Sequence, residues 1–459
     1  MEIKDKRFLV VGLGMSGLAV ARFLKRRGAE VIITDKAPAE ALQNYLADAK
    51  ELDVALELGG HREDLFTTTD GIIVSPGVPL TIPPLRAAAA ANVPIMGEIE
   101  LAAGLITKPM VAITGTNGKT TVTTLVGDML KQSGKHVFVG GNIGKPLIGF
   151  VDKGENADVA VVEISSFQLD GLVGIRPSVA VLLNIAEDHL DRYENFAAYI
   201  QSKGKIFAAQ EAEDTAVLNG SDFHVLQAAK TARSKKAYFN SGQRISNGVV
   251  ARRGGLDIVQ EGKVIGGIEI SQQYLLAPHN FENVSAAVLA ALSAGGTIAG
   301  IQAAIDDFKG LPHRLEYVDT VDQVAYFNDS KATNPDAVRR ALEWFSCPVV
   351  LLMGGQDKGC DYGVLKNVIR EHARAVVLFG AAREKIQVAL NGAVPMRTEE
   401  TLPQAVRRAR SLAAAGDAVL LSPACSSFDQ YENYARRGED FRDIVGRLKR
   451  GNDAISQKD

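Results

Sequence analysis

Short runs of apolar and β-branched residues alternate with amphipathic stretches in the first part of the chain. Two such runs, 7–12 and 30–34, flank the amphipathic segment 17–28, and another run follows at 71–75. A strand, a glycine turn, a helix and a second strand in this order are typical of a doubly wound parallel sheet. The alanine-rich segment 85–92 favours a helix near the end of this unit.

The same alternation begins again in the middle of the chain. An apolar strand predicted at 110–114 leads into a glycine-rich loop, and further strands are predicted at 158–164 and 179–184, with helices between them. These runs predict a second parallel sheet. Segment 249–270 instead alternates apolar and polar residues and turns at Gly-Gly and Glu-Gly pairs, which predicts antiparallel hairpin structure.

A third α/β unit is predicted after segment 310–318, which we interpret as a linker. Apolar runs separated by helical stretches follow at 324–329, 348–355, 374–380 and 417–423. The length suggests about three domains. We therefore expect an α/β protein with a Rossmann-like domain at residues 1–97, a P-loop-type domain with a parallel sheet plus antiparallel hairpins at 98–310, and a second Rossmann-like domain at 311–459.

The overall composition excludes several classes of partner. The chain has 459 residues, of which 46% are hydrophobic and 23% charged, and its net charge is −3. This balance gives no bulk electrostatic reason to expect a nucleic acid or an acidic membrane as partner. No apolar stretch reaches ~20 residues and no signal-peptide core is present, so we expect a cytoplasmic protein. The scattered Cys347, Cys360 and Cys425 predict neither a zinc site nor a disulfide framework.

The segment GTNGKTT, residues 115–121, has the features of a phosphate-binding loop. It lies between a strand and an amphipathic helix and includes Lys119 and Thr120. Glycines let backbone N–H groups approach phosphates, while the lysine reaches outer phosphate oxygens and the hydroxyl binds Mg²⁺. The common motif would need a glycine where Ile113 stands. The loop therefore predicts triphosphate binding by a shorter cradle, with ATP favoured over GTP because no N-K-x-D follows, but it does not identify the class of enzyme.

The segment GLGMSG, residues 12–17, is a second glycine turn of a different kind. It matches G-x-G-x-x-G between a strand and a helix, and Asp35 ends the next strand. Alone, the pattern fits NAD or FAD about as well as another phosphate at a helix N-terminus. Hydride transfer would need a substrate site beside this cofactor, yet the next motif is the triphosphate loop. The combination favours a diphosphate-containing substrate in the first domain and ATP in the second.

Eight motifs occur in a fixed order along the chain: GTNGKTT, GGNIG, EISSFQL, NIAEDHLDRY, HNFEN, LPHRLE, NDSKATN and SPACSSFDQY. Together they resemble the Mur ligases, and most closely the D-glutamate-adding branch of that family. Each motif is weakly specific alone, but their conjunction is highly specific. The resemblance implies an ATP-dependent ligase of peptidoglycan synthesis whose substrates are UDP-N-acetylmuramoyl-L-alanine and D-glutamate. An acyl phosphate would be the intermediate.

The same resemblance implies which residues bind the two nucleotides. The UDP-sugar would be bound by residues of the first glycine turn and of nearby loops, namely Gly14, Met15, Ser16, Asp35, Lys36, Ser75, Gly77 and Asn142. ATP would be bound by residues of the phosphate loop and of later motifs, namely Gly115, Thr116, Asn117, Gly118, Lys119, Thr120, Thr121, Asn283, Arg314, Asp329 and Lys331. Among these, Asn283 would hold adenine, Arg314 a phosphate and Asp329 the ribose, while Lys331 would lie near the transferred phosphate.

Charge repulsion predicts that metal ions take part. A carboxylate and one phosphate charge 4 Å apart repel by ~4 kcal/mol at an effective dielectric constant of ~20, so Lys119 alone cannot bring the substrates together. Two Mg²⁺ ions would act as template and Lewis acid. The resemblance implies that they are surrounded by Thr120, Glu163, His189 and a carbamate formed from CO₂ on Lys203. It makes Lys119, His189 and Lys203 the expected catalytic residues.

Several of these metal-site residues also have ordinary interpretations. Carbamylation needs a neutral amine, so Lys203 should be partly desolvated or beside cations. Lys205, two residues away, is the competing lysine. From the sequence alone, Glu163 is also compatible with a solvated charge, and His189 with a histidine in a loop.

The amino-acid site is implied by residues near the end of the chain. D-glutamate would be bound by Thr333, Lys358, Ser427, Phe428 and Tyr434. The DNPR signature of the diaminopimelate- or lysine-adding ligases is absent, which argues against that branch, although the residue types do not determine a preference for the D isomer. We expect a monomer.

Three other functions stay open at this point. An NAD-dependent oxidoreductase with an accessory ATPase would use the first glycine turn for its cofactor. A nucleotide-controlled binding module would bind without chemistry. A folylpolyglutamate-synthetase-like ligase shares the short ATP loop but lacks the N-terminal UDP-binding unit.

Overall fold

The computed structural model describes residues 2–153, 157–172, 174–188, 192–242 and 245–450. These residues contain three β-sheets with flanking helices. They group into two compact units. The first is formed by described residues within 1–185, 199–273 and 281–307, and the second by those within 186–198, 274–280 and 308–459. Two sheets lie in the first unit and one in the second.

Parallel strands form the first sheet. They are β1 (Arg7–Val11), β2 (Glu30–Asp35), β3 (Ala55–Leu58), β4 (Gly71–Val74) and β5 (Ile95–Gly97), in the spatial order β3-β2-β1-β4-β5. The helices between them are α1 (Met15–Arg26), α2 (Gln43–Glu51), α3 (Glu63–Thr67) and α4 (Pro83–Ala90). The strand order reverses between β1 and β4. Ligands bind in such sheets outside the carboxyl ends of the strands at this reversal.

The second sheet is mostly parallel and ends in an antiparallel meander. Its strands are β6 (Met110–Thr114), β7 (Val137–Gly141), β8 (Val159–Glu163), β9 (Val179–Leu182), β10 (Thr215–Asn219), β11 (Lys235–Phe239), β12 (Gly248–Arg252), β13 (Gly255–Gln260) and β14 (Lys263–Glu269). Their spatial order is β14-β13-β12-β11-β10-β9-β6-β8-β7, with antiparallel pairing in β12-β13-β14.

Helices before, between and after these strands are α5 (Glu98–Ala103), α6 (Lys119–Gln132), α7 (Ile148–Lys153), α8 (Ser166–Asp170), α9 (Phe196–Gly204), α10 (Phe223–Ala228), α11 (Pro278–Ser293) and α12 (Ile298–Asp307). Strands β6, β8 and β9 are buried along their whole length. Their near-continuous runs of Val, Ile, Ala and Leu are what a parallel strand covered on both faces requires. Glu163, the last residue of β8, is a buried acidic residue in this apolar setting.

The third sheet repeats the parallel pattern in the second unit. Its strands are β15 (Glu316–Val321), β16 (Val324–Asn328), β17 (Val349–Gly354), β18 (Ala373–Phe379), β19 (Met396–Thr398) and β20 (Ala418–Ala424), in the order β15-β16-β20-β17-β18-β19. Only β15 pairs antiparallel among these described strands. The helices are α13 (Pro335–Leu342), α14 (Lys366–His372), α15 (Arg383–Leu390), α16 (Leu402–Leu412) and α17 (Tyr434–Lys449). An apolar cluster covers each face.

The predicted α/β fold class is confirmed. Each of the three predicted domains contains one β-sheet in which parallel pairing dominates, with helices flanking it. Segment 249–270 is antiparallel as predicted, with three strands. The segment interpreted as a linker overlaps β15, which begins at Glu316. The boundaries 1–97, 98–310 and 311–459 stay predictions. No helix within the described ranges is long and apolar enough to cross a bilayer.

A buried carboxyl group in the first unit makes the stability depend on pH. Glu98 begins α5 and is 3% exposed. Burial raises the pKa of its carboxyl from the usual 4.5 to about 7, against the opposing effect of the N–H groups of Ile148 and Leu147. The folded protein thus holds a proton that the unfolded chain releases at lower pH. The resulting stabilisation is complete below about pH 4.5 and is lost as the pH rises through about 7.

We therefore expect Glu98→Gln, which stays neutral, to gain stability relative to the wild type as the pH rises from about 5 to about 8. The gain is at most about 3 kcal/mol, because one pKa unit corresponds to about 1.4 kcal/mol. Urea unfolding at both pH values measures it. The control Glu40→Gln changes an exposed glutamate and should show no pH-dependent difference; the same result for Glu98→Gln would contradict the prediction.

Candidate active site

The first glycine turn connects β1 to α1 and is shaped by close backbone approach. Gly12 has φ +102°, and a Cβ on Gly17 would lie 2.1 Å from the carbonyl oxygen of Gly12. Gly14 is the N-cap residue of α1, and within the described part of the chain no side chain caps this helix. The first-turn N–H groups and the positive end of the helix dipole can therefore receive an anion.

Two of the predicted UDP-site residues hold this turn in shape. Asp35 accepts hydrogen bonds from the backbone N–H of Leu13 at 2.7 Å and of Ala37 at 2.8 Å. Ser75, which follows β4, donates from Oγ to the carbonyl oxygen of Gly12 at 3.1 Å. The carboxyl ends of β1, β2 and β4 thus meet at the point where the strand order reverses.

The other residues predicted for the UDP site near this turn lie at its surface. Met15 is 62% exposed, and Lys36 and Gly77 are also exposed, while Ser16 is half-buried. The structure therefore brings the predicted UDP-site residues of the first sheet together at one edge. It does not bury them.

The phosphate loop lies between β6 and α6 and is tightly packed. Gly118, the N-cap of α6, has φ +85°, and a Cβ there would lie 2.2 Å from Oδ1 of Asn283. This contact explains the glycine and places Asn283 beside the loop. The Lys119 Nζ folds back to donate to the carbonyl oxygens of Gly115 at 2.8 Å and Thr116 at 2.9 Å.

Two residues that hold the phosphate loop were not predicted from the sequence. Asn184, which follows β9, accepts from the N–H of Asn117 at 2.8 Å through Oδ1 and donates from Nδ2 to the carbonyl oxygen of Asn117 at 3.2 Å. Its own carbonyl oxygen accepts from the N–H of Thr116 at 2.9 Å. Tyr199 Oη lies 3.1 Å from Thr116 Oγ1. The available signal for Asn184 was its place at the start of the NIAEDHLDRY motif, directly after a predicted strand.

Lys203 is buried beside the same loop. Its side chain is among the largest that are fully buried, at 1% exposed. The Nζ donates to the carbonyl oxygen of Gly115 at 2.8 Å and lies 4.7 Å from the centre of the Tyr199 ring. Lys119 donates to the same oxygen at the same distance, so the two nitrogens are at most about 5.6 Å apart. Lys203 is thus desolvated and lies near a second lysine, which is the environment stated above as a requirement for carbamylation.

The competing lysine has a different environment. Lys205 is partly exposed, with 43% of its side chain accessible, and it donates to Asp170 Oδ1 at 2.9 Å. Of the two lysines, Lys203 is therefore the more deeply buried and the one that contacts the phosphate loop.

Glu163 has one carboxylate oxygen that can accept a further ligand. It is 2% exposed. Its Oε1 accepts from Nδ2 of Asn142 at 2.9 Å, whereas no described residue hydrogen-bonds to the buried Oε2. An orphaned, buried carboxylate oxygen fits Mg²⁺, which prefers oxygen ligands. Thr120, in the first turn of α6, is half-buried, and His189 lies outside the described residues.

In the second unit, Asp329 follows β16 in a buried position. Its Oδ2 accepts from Oγ of Ser422 at 2.9 Å, and its Oδ1 accepts from the N–H of Leu315 at 3.2 Å. Burial raises the pKa of this carboxyl group to about 7, although the two hydrogen bonds and the nearby Arg314 act in the opposite direction. The structure thus brings the predicted Arg314 and Asp329 together.

The residues predicted for the amino acid lie in several places in the second unit. Lys358 Nζ lies 3.3 Å from Thr333 Oγ1 and 3.8 Å from Asp188 Oδ1, and a cavity of about 240 Å³ opens beside Lys358 and Asp188. The ring centre of Tyr434 instead lies 3.8 Å from Nζ of Lys331, a residue predicted for ATP.

Ser427 and Phe428 follow β20, and they differ sharply in exposure. Ser427 is 2% exposed, whereas Phe428 is 69% exposed. The backbone carbonyl oxygen of the buried Ser427 accepts a hydrogen bond from the N–H of Tyr431 at 2.8 Å. No direct contact joins Phe428 to the Lys358 group among the hydrogen bonds and ring contacts of the described residues.

A buried arginine that the sequence analysis did not identify links these strand ends. Arg437, in α17, is fully buried. Its guanidinium donates to the carbonyl oxygens of Ser330 at 2.9 Å, Cys425 at 3.1 Å and Ser426 at 3.2 Å, and to Oγ of Ser330 at 3.0 Å. These residues follow β16 and β20, so one side chain fixes the loops that contain Lys331 and Ser427 relative to each other.

Comparisons with known proteins match all three parts of the chain. Residues 6–97 match the model of the Mur ligase MurD-like N-terminal domain, residues 113–291 match the Mur ligase middle domain, and residues 313–425 match the Mur ligase glutamate ligase domain.

Curated relatives match over nearly the whole length. The protein named UDP-N-acetylmuramoylalanine--D-glutamate ligase from Desulfosudis oleivorans is 62% identical over 99% of this chain and 99% of its own. The protein of the same name from Geotalea daltonii is 45% identical over 98% and 99%. A solved structure of a pseudomurein peptide ligase type C from Methanothermus fervidus shares the fold, with a TM-score of 0.62 at 19% identity over 97% of this chain and 100% of that one. The chain therefore belongs to the Mur ligase family.

Proposed function

We propose that the protein is an ATP-dependent ligase that adds D-glutamate to UDP-N-acetylmuramoyl-L-alanine in peptidoglycan synthesis. The reaction is the one in the names of its full-length relatives. The observation that carries the proposal most directly is the arrangement in the first unit. There a glycine turn at the N-terminus of α1 and a short phosphate loop at the N-terminus of α6 provide two separate anion sites.

The chemistry joins a carboxylate to an amine. The carboxylate of the L-alanine residue attacks the γ-phosphorus of ATP, ADP leaves, and the amine of D-glutamate then displaces phosphate from the acyl phosphate. We assign the nucleotide-sugar's diphosphate to the turn around Gly14 and Ser16, with Met15, Asp35, Lys36, Ser75, Gly77 and Asn142 completing that site. We assign the ATP phosphates to residues 115–121, and further ATP contacts to Asn283, Arg314, Asp329 and Lys331.

Mur ligases use ATP and Mg²⁺. Two bound Mg²⁺ ions would neutralise the phosphates and let the substrate carboxylate approach. We assign Thr120, Glu163 and a carbamate on Lys203 to these ions, together with His189. The proposal is supported by Oε2 of Glu163, to which no residue in the described ranges hydrogen-bonds, and by the buried position of the Lys203 amine.

We assign D-glutamate to the second unit. Lys358 and Thr333, which lie together, suit a carboxylate because an ammonium and a hydroxyl can both donate to it. Ser427, Phe428 and Tyr434 complete the assignment. The three domain boundaries predicted above, a cytoplasmic location and a monomeric state belong to the same proposal, and gel filtration tests the last of these.

The direct test is phosphate release with defined substrates. We expect release only when ATP, Mg²⁺, UDP-N-acetylmuramoyl-L-alanine and D-glutamate are all present, and at least about 100-fold less release with L-glutamate or meso-diaminopimelate. Mass spectrometry should detect ADP and the glutamylated nucleotide sugar. Equal release with L-glutamate would contradict the amino-acid assignment, and the absence of both products would overturn the proposed reaction.

The same preparation separates the competing functions. An NAD-dependent oxidoreductase would bind NADH tightly at the first glycine turn, so a fluorescence titration with NADH that saturates at low concentration would count against the ligase. A folylpolyglutamate-synthetase-like ligase is disfavoured by the match of residues 6–97 to the MurD-like N-terminal domain. A binding module without chemistry would release no phosphate with any substrate set.

A further inference from the structure

Glu98 forms a buried connection between the first sheet and the loop that contains Asn142. The residue begins α5, directly after the edge strand β5. Its Oε1 accepts a hydrogen bond from the backbone N–H of Ile148 at 2.6 Å. Ile148 is the first residue of α7, so the carboxyl group lies at the positive end of that helix. This hydrogen bond satisfies one of the N–H groups at the start of the helix that have no acceptor within the helix.

The loop between β7 and α7 is fixed at both of its ends. At the start, Asn142 donates from its backbone N–H to the carbonyl oxygen of Glu163 at 2.8 Å and from Nδ2 to Glu163 Oε1 at 2.9 Å. The N–H of Gly141 donates to the carbonyl oxygen of Lys145 at 3.0 Å, which closes the loop. At the end, Glu98 holds Ile148. The position of Asn142 therefore depends on two carboxyl groups from different parts of the fold.

The connection reaches the first glycine turn through α7. This helix packs against both α5 and α1, and α1 is the helix that begins at the turn. Leu147 and Ile148 are fully buried at the contact, and Arg26 of α1 forms an ion pair with Asp152 of α7 at 2.7 Å. Removing the acceptor on Glu98 would leave a buried N–H group unpaired at the end of the Asn142 loop, which is costly.

We propose that Glu98 is a positioning residue for the nucleotide-sugar substrate: its buried carboxyl group holds the Asn142 loop in register with the glycine turn of the first sheet. The inference rests on the proposed assignment of Asn142 and the turn to that substrate. Glu98 does not contact the reacting atoms. It acts on the distance between two parts of one binding site.

Steady-state kinetics of the full-length enzyme test this role. We expect Glu98→Ala to raise the KM for UDP-N-acetylmuramoyl-L-alanine by about tenfold, while kcat and the KM values for ATP and D-glutamate change less than about twofold. Glu98→Met, which fills the same space but has no oxygen to accept the hydrogen bond from Ile148, should show the same changes as Glu98→Ala. Glu98→Gln keeps an acceptor oxygen and should stay within about threefold of the wild type. The control Glu51→Ala changes an exposed glutamate at the end of α2, outside this connection, and should change none of these values.

The outcomes distinguish this inference from the proposed function. Asn142→Ala, measured in parallel, should also raise the KM for the nucleotide sugar; if it does not, the assignment of the site is wrong. If Asn142→Ala raises this KM and both Glu98→Ala and Glu98→Met leave it unchanged, the role of Glu98 is overturned. The role is also overturned if Glu98→Gln is as impaired as Glu98→Ala, or if all three KM values and kcat change together. If Glu98→Ala does not fold, the comparison of Glu98→Met with Glu98→Gln tests the role of Glu98.

Discussion

Replacing Lys203 with alanine is expected to lower the rate of ADP formation by a factor of about 10³ or more while the protein remains folded. This factor corresponds to about 4 kcal/mol of transition-state stabilisation, a size compatible with loss of a metal ligand. The Lys203 amine is buried, lies on the Tyr199 ring and shares the carbonyl oxygen of Gly115 with Lys119. A coupled ADP-release assay measures the activity, and urea unfolding checks the fold.

Rescue experiments identify what the lysine supplies. If its carbamate provides carboxylate oxygens, then formate, acetate or propionate should restore part of the activity of Lys203→Ala and should not affect the wild type. The matched control is Lys205→Ala, two residues away and paired with Asp170 at 2.9 Å, which should keep at least about half of the activity. Loss of activity in Lys205→Ala alone would transfer the role to that lysine. A Lys203→Ala enzyme that no carboxylate rescues would count against the carbamate.

The fold could be predicted from local patterns because parallel sheets covered on both faces leave a strong signal. Strands β6, β8 and β9 are short continuous apolar runs, and glycine turns mark where helices begin. The antiparallel meander within 249–270 was equally visible, since alternation and Gly-containing turns are local features. The order of the strands in each sheet was not predicted, because it depends on contacts between distant segments.

From residue spacing alone, the candidate site could be predicted only where its residues are contiguous, and the dispersed residues were predicted from the family resemblance. The phosphate loop and the first glycine turn are short segments whose spacing reflects backbone geometry, and the structure places both at helix N-termini. Asn184 and Tyr199 hold the phosphate loop from 67 and 83 residues away. The motif that begins at Asn184 marks the residue but not its partner, because the contact arises only when β9 pairs with β6.

Arg437 shows a signal that was present but ambiguous. It stands next to Arg436 in a highly charged helix, and by composition both are typical of a solvated face. Spacing separates them: Arg437 falls on the same helical stripe as Phe441 and Ile444, which are buried, whereas Arg436 is exposed and pairs with Glu439. A charged residue in the apolar stripe indicates a buried polar network, yet its partners are backbone carbonyls that no sequence pattern shows.

Replacing Lys119 with alanine is expected to lower kcat/KM for ATP by a factor of about 10³. The expected cause is weaker nucleotide binding, whereas Lys203→Ala should impair turnover. Lys119 is the first residue of α6, and its ammonium donates to two loop carbonyls. We expect this side chain to reach the outer phosphates when ATP binds, as the lysine of a phosphate-binding loop does. Lys131→Ala is the matched control, because Lys131 lies on the same helix in an exposed pair with Asp128, and it should change kcat/KM less than about twofold.

Ligand-induced stabilisation separates the two lysines. A ligand that binds only the folded state raises the unfolding temperature in proportion to its binding free energy. We expect Mg²⁺ and a non-hydrolysable ATP analogue to stabilise the wild type and Lys203→Ala to a similar degree and Lys119→Ala much less, since we assign Lys119 to nucleotide binding and Lys203 to turnover. Equal stabilisation of all three proteins would show that Lys119 does not hold the triphosphate. Loss of stabilisation in Lys203→Ala alone would mean that the buried amine, and not the loop lysine, is needed for nucleotide binding.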